Sequence, residues 1–331
     1  MLHHLGPNSF GPQSKCVPIK HKRCGGGSLL RLFCVFKSWQ NTRMKQSRNA
    51  PLPAAALVNL ERYAIDGLDT DRSRALIEDC RQQMHAMGCC RLPGFLSASG
   101  LRAIRQEAGA VVDCAHHSDR QLTPYYREPD PELPSTDPRA SAVRFAVGYV
   151  ARDRLPSEGY IHSLFAWDAL LALVGAILNR GPIHRFDDTL GSLNVTVMRS
   201  GQELGWHFDA CEAVASVLLE EAVHGGRFQY IPPFLGSQTH RRERVSAVLC
   251  GDHSDALEVA MEPGDFLLFC GRHSLHRVTK IVDGGPRLML LMSYDTVEHR
   301  QSDNLSNANL FGRASAKSSA GSESKHRTQR E

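Results

Sequence analysis

Between Gly191 and Asp295 the chain alternates short apolar runs with turns rich in Gly and Pro: SLNVTVM, AVASVLLE, RFQYIP, ALEVA, DFLLFC, HRVTKI and RLMLLMSYD. Runs of this length, rich in β-branched and aromatic residues and separated by turn residues, read as the strands of an antiparallel sandwich or barrel. Upstream the periodicity changes. DRSRALIEDCRQQMHAMG repeats apolar residues at helical spacing, with Asp71 as N-cap and Gly88 as the stop. CCRLPGFL reads as a strand running into a turn, and LSASGLRAIRQEAGAVVDCAHH as a second helix capped by Ser97 or Ser99. A third helix is predicted from Ser163 to Asn179, ended by Arg180-Gly181-Pro182. The fold class expected is therefore mostly β with flanking helices (α+β), the helices covering the outside of the sheet.

The charge is unevenly spread. The formal net charge is +4, but residues 1–60 hold nine Lys/Arg and no acid, and the tail from His299 adds +3, which leaves −8 for the middle. A mildly acidic centre lacks the basic footprint of a nucleic-acid binder. No apolar run approaches the roughly 18–20 residues that span a bilayer, and mean hydropathy is −0.30. The expected organisation is a basic extension over residues 1–56, a folded domain over 57–298 with a helical leader (57–180) and a barrel core (183–298), and a disordered polar tail over 299–331. The extension resembles a mitochondrial or plastid presequence, while Met44 also reads as an ordinary start preceded by an upstream extension. An intracellular, cytoplasmic location is the plain expectation, with organellar targeting as the alternative. The ten cysteines are scattered, with no CxxC spacing, and read as reduced thiols.

His207-Phe208-Asp209 carries the first chemistry. Side chains at i and i+2 of extended backbone point the same way, so H-x-D at a strand end offers two ligands to one metal. Two further H-x-D triplets occur, at His117 to Asp119 and at His253 to Asp255. The former follows a helix with no strand expected to fix it, and the latter lies in the turn CGDHSDA. Only His207 leads through a Gly-flanked stretch, LGWHFD, into a hydrophobic strand. His276 opens a strand 69 residues later and is preferred over His273, which falls in the preceding loop. Two imidazoles and one carboxylate on one face suit a ferrous ion that keeps positions open for a cosubstrate and O2.

Arg287 interrupts an otherwise apolar strand, and a guanidinium buried there requires an anion. The distal carboxylate of 2-oxoglutarate would serve, and a structural salt bridge is the alternative. Asn194 and Thr196, alternating on SLNVTVM, either face the same cofactor pocket or make core hydrogen bonds. The stretch from Gln121 to Pro138, with its prolines and acids, reads as a long loop and a candidate lid. Tyr125 and Tyr126 from it, and Arg144 from the strand after it, are candidate substrate contacts, with surface or packing roles as the alternative.

The blocks LGSLNVTVM, LGWHFD, GGRFQYIP, PGDFLLFCGRHSLHRVT and PRLMLLMSYD resemble the 2-oxoglutarate/Fe(II)-dependent oxygenase superfamily, in particular its ArpA-like branch. The resemblance is strong over Gly191–Asp295 and looser back to Leu57. It implies a double-stranded β-helix (jelly-roll, cupin-like) barrel, with His207, Asp209 and His276 as catalytic metal ligands and Arg287 as the anchor of 2-oxoglutarate. It further implies oxidative decarboxylation of 2-oxoglutarate to succinate and CO2, coupled to hydroxylation of an unactivated C–H of a small, amino-acid-like molecule, with ascorbate as a supporting reductant. Related radical halogenases replace the acidic ligand with Gly or Ala, and the Asp209 retained here points to hydroxylation. A zinc-dependent hydrolase and a non-catalytic β-barrel binding module are the competing readings. The expected partner is a small molecule, with no nucleic acid and no membrane. The sequence leaves the oligomeric state open.

Overall fold

The structure, a computed structural model, describes residues 52–233 and 238–315. Residues 1–51 of the expected extension lie outside them. After a single helical turn, α1 (Ala54–Leu57), comes α2 (Asp71–Met87), whose N-cap is Thr70, its hydroxyl accepting from the Ser73 amide. Asp71 is the first residue inside the helix. Gly88 ends it at φ 75°, the left-handed C-cap that glycine adopts without steric cost. Strand β1 (Cys89–Leu92) follows, then α3 (Ala98–Gly109), capped by Ser97 through the Gly100 amide. Next come β2 (His116–Leu122), β3 (Val143–Ala151), α4 (Tyr160–Ala166) and α5 (Asp168–Leu178). The remaining elements are β4 (His184–Arg185), β5 (Leu193–Met198), β6 (Glu203–His207), β7 (Ala213–Glu220), β8 (Phe228–Tyr230), α6 (Gln238–Leu249), β9 (Leu257–Val259), β10 (Phe266–Phe269), β11 (His276–Val278), β12 (Arg287–Asp295) and α7 (Asn304–Phe311).

Twelve strands form one curled antiparallel sheet in the order β1-β10-β7-β12-β5-β3-β6-β11-β8-β9, with β2 added to β3 and β4 to β12. This is the folded-over sheet of a double-stranded β-helix. Alternation along each strand divides the residues between two surroundings. On β12, Leu288, Leu290, Met292 and Tyr294 join the main core with the helices, while Arg287, Met289, Leu291 and Ser293 line an internal cavity. β5 follows the same rule, placing Leu193, Val195 and Val197 in the core and Asn194, Thr196 and Met198 at the cavity. The helices α2 to α5 contribute Ile77, Ile104, Leu164 and Leu173 to the core side, and so cover the outside of the sheet.

Several expectations need correction. The predicted third helix is two, α4 and α5, bent by 50° where Trp167 takes extended backbone between them. His117 does lie on a strand. β2 pairs along its whole length with β3, a partner invisible in HHSDRQL because this polar strand shows almost no apolar alternation. α6 stands where only a short connection was expected. The tail is ordered further than its composition suggests. Asp303 caps α7 through the Ser306 amide, Asn307 donates to the Asp188 carboxylate (2.9 Å), Asn309 donates to the Tyr126 carbonyl (3.1 Å), and Phe311 is buried. These buried side chains, bonded through their amide nitrogens, replace the apolar stripe that would have marked the helix. Residues 316–331 lie outside the described part. No single helix among the described residues is long and apolar enough to cross a membrane, and the described cysteines are free.

Candidate metal centre

β6 and β11 are adjacent and antiparallel, and their register sets His276 directly opposite His207. The 69-residue separation in sequence thus closes to 4.0 Å between ring centroids. Past the end of β6, the Asp209 amide donates to the Gly271 carbonyl (3.0 Å) and the Phe208 amide to that of Pro124 (3.0 Å), which fixes the turn carrying the carboxylate. Asp209 Oδ1 then lies 3.5 Å from His276 Nε2 and 3.9 Å from His207 Nε2. One ligand atom from each of the three residues lies within 4.8 Å of the others, and this is the metal-capable cluster among the described residues. Ligands ~2.1 Å from one ion stand about 3 Å apart at right angles, so a small inward shift completes the set.

Each imidazole is aimed by its other nitrogen. Nδ1 of His207 donates to the Gly205 carbonyl (2.8 Å) and Nδ1 of His276 to that of Ser274 (3.0 Å), leaving both Nε2 lone pairs for a metal. Burial, with His276 alongside, pulls the pKa of His207 down to about 3, so its ring is neutral and ready to coordinate. For Asp209 burial pushes the other way, but the attraction of His276 and its hydrogen bond, together with His207 and Arg272, outweighs it and keeps the carboxyl below its ordinary value. The donor set therefore fits a divalent cation. Arg272 supports the turn from outside, donating to the Ala210 carbonyl and pairing with buried Asp295 (2.8 Å).

A cavity of about 160 Å³ opens onto His207, Asp209 and His276. Arg287 lines it, is buried, and has no hydrogen bond or ion pair among the described residues. Burial lowers its pKa to about 10, which leaves it protonated at neutral pH, and Glu221, the acid that acts on it electrostatically, is already paired with Arg227 (3.4 Å). Asn194 and Thr196 line the same cavity. The Asn194 Nδ2 donates to the Gly191 carbonyl (3.2 Å), whereas its buried Oδ1 has no partner. Tyr126 also lines it, held at φ 59° with its ring 5.5 Å from that of His207.

Tyr125 and Arg144 are not among the residues lining the cavity. Tyr125 is 41% exposed and stacks on Phe208 at 5.6 Å. Arg144 is committed to Asp119 (2.8 Å) and Glu203 (3.3 Å). The same ion pair removes Asp119 from any ligand role with His117. In the third triplet, His253 accepts from the Trp206 indole (3.2 Å) and Asp255 pairs with Arg244 (2.9 Å). His273 faces Glu212 (3.1 Å) rather than the triad.

Gly271 and Tyr149 escaped the sequence reading. A Cβ at Gly271 would overlap the Asp209 carboxylate and come within 2.8 Å of Cε1 of His276. The glycine is thus the space the third ligand occupies, and its position between DFLLFC and His276 was the available signal. Gly271→Ala is expected to fold, because φ there is unexceptional, but to lose divalent-metal affinity by about 10- to 100-fold, as when a ligand loses its support. Titration with Co(II), followed by its visible spectrum and set beside circular dichroism, checks this. Wild-type affinity would show that Asp209 does not bind from this position.

A family model described as Halogenase D matches residues 72–310. No curated protein sequence matches. Among solved structures, the chain is similar to the non-heme α-ketoglutarate-dependent epimerase SnoN from nogalamycin biosynthesis, with a TM-score of 0.47 at 17% identity over 67% of this chain and 81% of that one. It is also similar to HygX from Streptomyces hygroscopicus, with a TM-score of 0.47 at 16% identity over 72% of this chain and 95% of that one. A Pseudomonas putida prolyl-4-hydroxylase gives a TM-score of 0.40 at 14% identity, over 66% and 98%. With its family model spanning more than two thirds of the sequence and the three candidate ligand residues inside the matched stretch, the chain belongs to the Halogenase D family.

Proposed function

We propose that the protein is an Fe(II)- and 2-oxoglutarate-dependent oxygenase that hydroxylates an unactivated C–H of a small molecule. The observation that carries this reading is the pairing of two features in one cavity: a facial His207, Asp209, His276 cluster and the unpaired, buried cation Arg287. Bound together, ferrous ion, 2-oxoglutarate and O2 supply the oxidising power and yield succinate and CO2 as coproducts, with ascorbate as a supporting reductant. The chain's own groups position and protect. His207, Asp209 and His276 would hold the metal through two imidazole nitrogens and one carboxylate, a set that suits an ion with positions left for a cosubstrate. Arg287 receives the distal carboxylate of 2-oxoglutarate, with Thr196 and Asn194 as polar neighbours. Phe228, Phe269 and Val278 wall the ligands with apolar surface that excludes water.

A zinc hydrolase would need a general base beside the metal. Among the described lining residues Asp209 is the sole carboxylate, and nearby Glu212 is engaged by Arg180 and His273. The family's name favours a second reading, halogenation, in which a halide takes the place of the carboxylate ligand. Asp209 in that place favours oxygen insertion, and mass spectrometry of the product made in chloride or bromide buffer separates the two outcomes.

Anaerobic protein given Fe(II) and 2-oxoglutarate is expected to develop a weak metal-to-ligand charge-transfer band in the visible. A well-folded, iron-loaded protein with no such band would overturn the proposal.

A further inference from the structure

We propose that Asn309 of α7 is a positioning residue for the metal centre: it holds Tyr126 in a left-handed backbone conformation, and the turn fixed in this way holds Phe208 and Asp209 in place. The inference rests on the reading of His207, Asp209 and His276 as a metal site. Among the described residues, three that are not glycine have positive φ. Asn179 is the C-cap of α5, and His299 is exposed. Tyr126, at φ 59°, is buried beside His207. A bulky side chain in this region is a backbone outlier, and it persists only where its surroundings over-determine it.

The surroundings that hold Tyr126 belong to α7. The Tyr126 carbonyl accepts from two donors, Asn309 Nδ2 (3.1 Å) and Arg127 Nη1 (3.2 Å). Asn309 lies on the helix, and Arg127 is tied to it through Ser306 (2.9 Å) and the N-cap Asp303 (2.7 Å). Asn309 is itself fixed from β2, since its Oδ1 accepts from Arg120 (2.5 Å) and its carbonyl from the Ser118 hydroxyl (3.4 Å). It is 3% exposed, so losing its amide group leaves the Tyr126 carbonyl with Arg127 alone.

The turn passes this constraint to the metal centre. The Tyr126 amide donates to the Thr123 carbonyl (3.0 Å) and the Thr123 amide to that of Arg127 (2.8 Å), which closes the segment on itself. Inside it, the Pro124 carbonyl accepts from the amide of Phe208, the residue between two candidate ligands (3.0 Å). The Tyr126 ring meets that of His207 edge-on at 5.5 Å. A Tyr126 released to negative φ would turn its peptide, carry its ring away from His207 and draw Pro124 from Phe208. The same helix braces the cavity wall at its far end, where Phe311 meets Tyr149 edge-on at 5.4 Å.

The test uses the full chain and Asn309→Leu, which keeps the volume, removes the donor to Tyr126 and leaves Arg120 its partner Glu128. The variant is expected to exchange its Phe208 amide at least about fivefold faster without metal, as a lost hydrogen bond allows, read by nuclear magnetic resonance. Its Co(II) affinity, read from the visible spectrum, should fall about tenfold, the lower end for losing an outer support of a ligand. Adding Tyr126→Gly supplies a residue that takes φ 59° without steric cost, so the double variant should recover both quantities to within about threefold of wild type. A helix needed only for folding would not be answered by a change at residue 126. Tyr126→Gly alone should keep Phe208 exchange within about threefold of wild type, which serves as the test if the leucine variant does not fold. Unchanged exchange in Asn309→Leu, no recovery in the double variant, or fast exchange in Tyr126→Gly would overturn the inference. Wild-type protein that binds no Co(II) would remove the metal reading instead, since the exchange rates are measured without metal.

Discussion

Asp209→Ala protein is expected to make no detectable alcohol product, a loss of more than about a hundredfold, which is the upper range for losing even an outer partner of a metal ligand. The geometry explains why no neighbour substitutes. Among the described lining residues Asp209 is the one carboxylate, and the space beside it is limited by Gly271 on one side and the His276 ring on the other. Asp209→Glu adds a methylene with nowhere to go and is expected to fail nearly as badly. Asp209→Asn keeps shape but removes charge, so it isolates the electrostatic part of binding. With both imidazoles still aimed by the Gly205 and Ser274 carbonyls, the alanine variant should keep residual two-histidine metal binding. Liquid chromatography with mass spectrometry on product, paired with Co(II) titration, measures both effects. Full product formation by the alanine variant would mean that Asp209 is not a ligand.

The strand blocks were legible because alternation on β5, β7 and β12 is written twice, once in the core residues and once in the cavity residues. The choice of His207 over its two rivals also follows from local pattern, although one reason behind it does not hold. His117 sits on a strand after all, and what removes that triplet is the pairing of Asp119 with Arg144 across the β2–β3 register. No local signal reveals such a partner 25 residues away. The same ion pair takes Arg144 out of the cavity. α7 was hidden for a related reason. Its buried asparagines donate to Asp188 and the Tyr126 carbonyl, so polar composition there reflects hydrogen-bonded burial of the amide nitrogens rather than solvation. Tyr149 and Gly271 matter through what lies opposite them in space, which a single sequence does not record.

Replacing Arg287 with methionine separates binding from stability, because the two should move in opposite directions. In the absence of 2-oxoglutarate the guanidinium is buried without a partner and lowers the stability of the fold it sits in. A methionine of comparable length removes that burden, as replacement of a buried charge by an apolar side chain often does. The variant is therefore expected to melt no lower than wild type without ligands. With 2-oxoglutarate present the order reverses. Losing a buried, charge-assisted contact to the distal carboxylate costs roughly 2–5 kcal/mol, equivalent to an increase of about 30-fold or more in KM for 2-oxoglutarate. If the contact is uniform between ground and transition states, kcat at saturating cosubstrate changes little. Arg287→Lys keeps the charge but not the paired N–H donors, and it should fall between the two. Thermal melts with and without Fe(II) and 2-oxoglutarate read the linkage directly, since a ligand stabilises only the form that binds it. A methionine variant that melts lower without ligands, and still gains the full wild-type increment with them, would make Arg287 a structural residue and return the search for the anion site to Thr196 and Asn194.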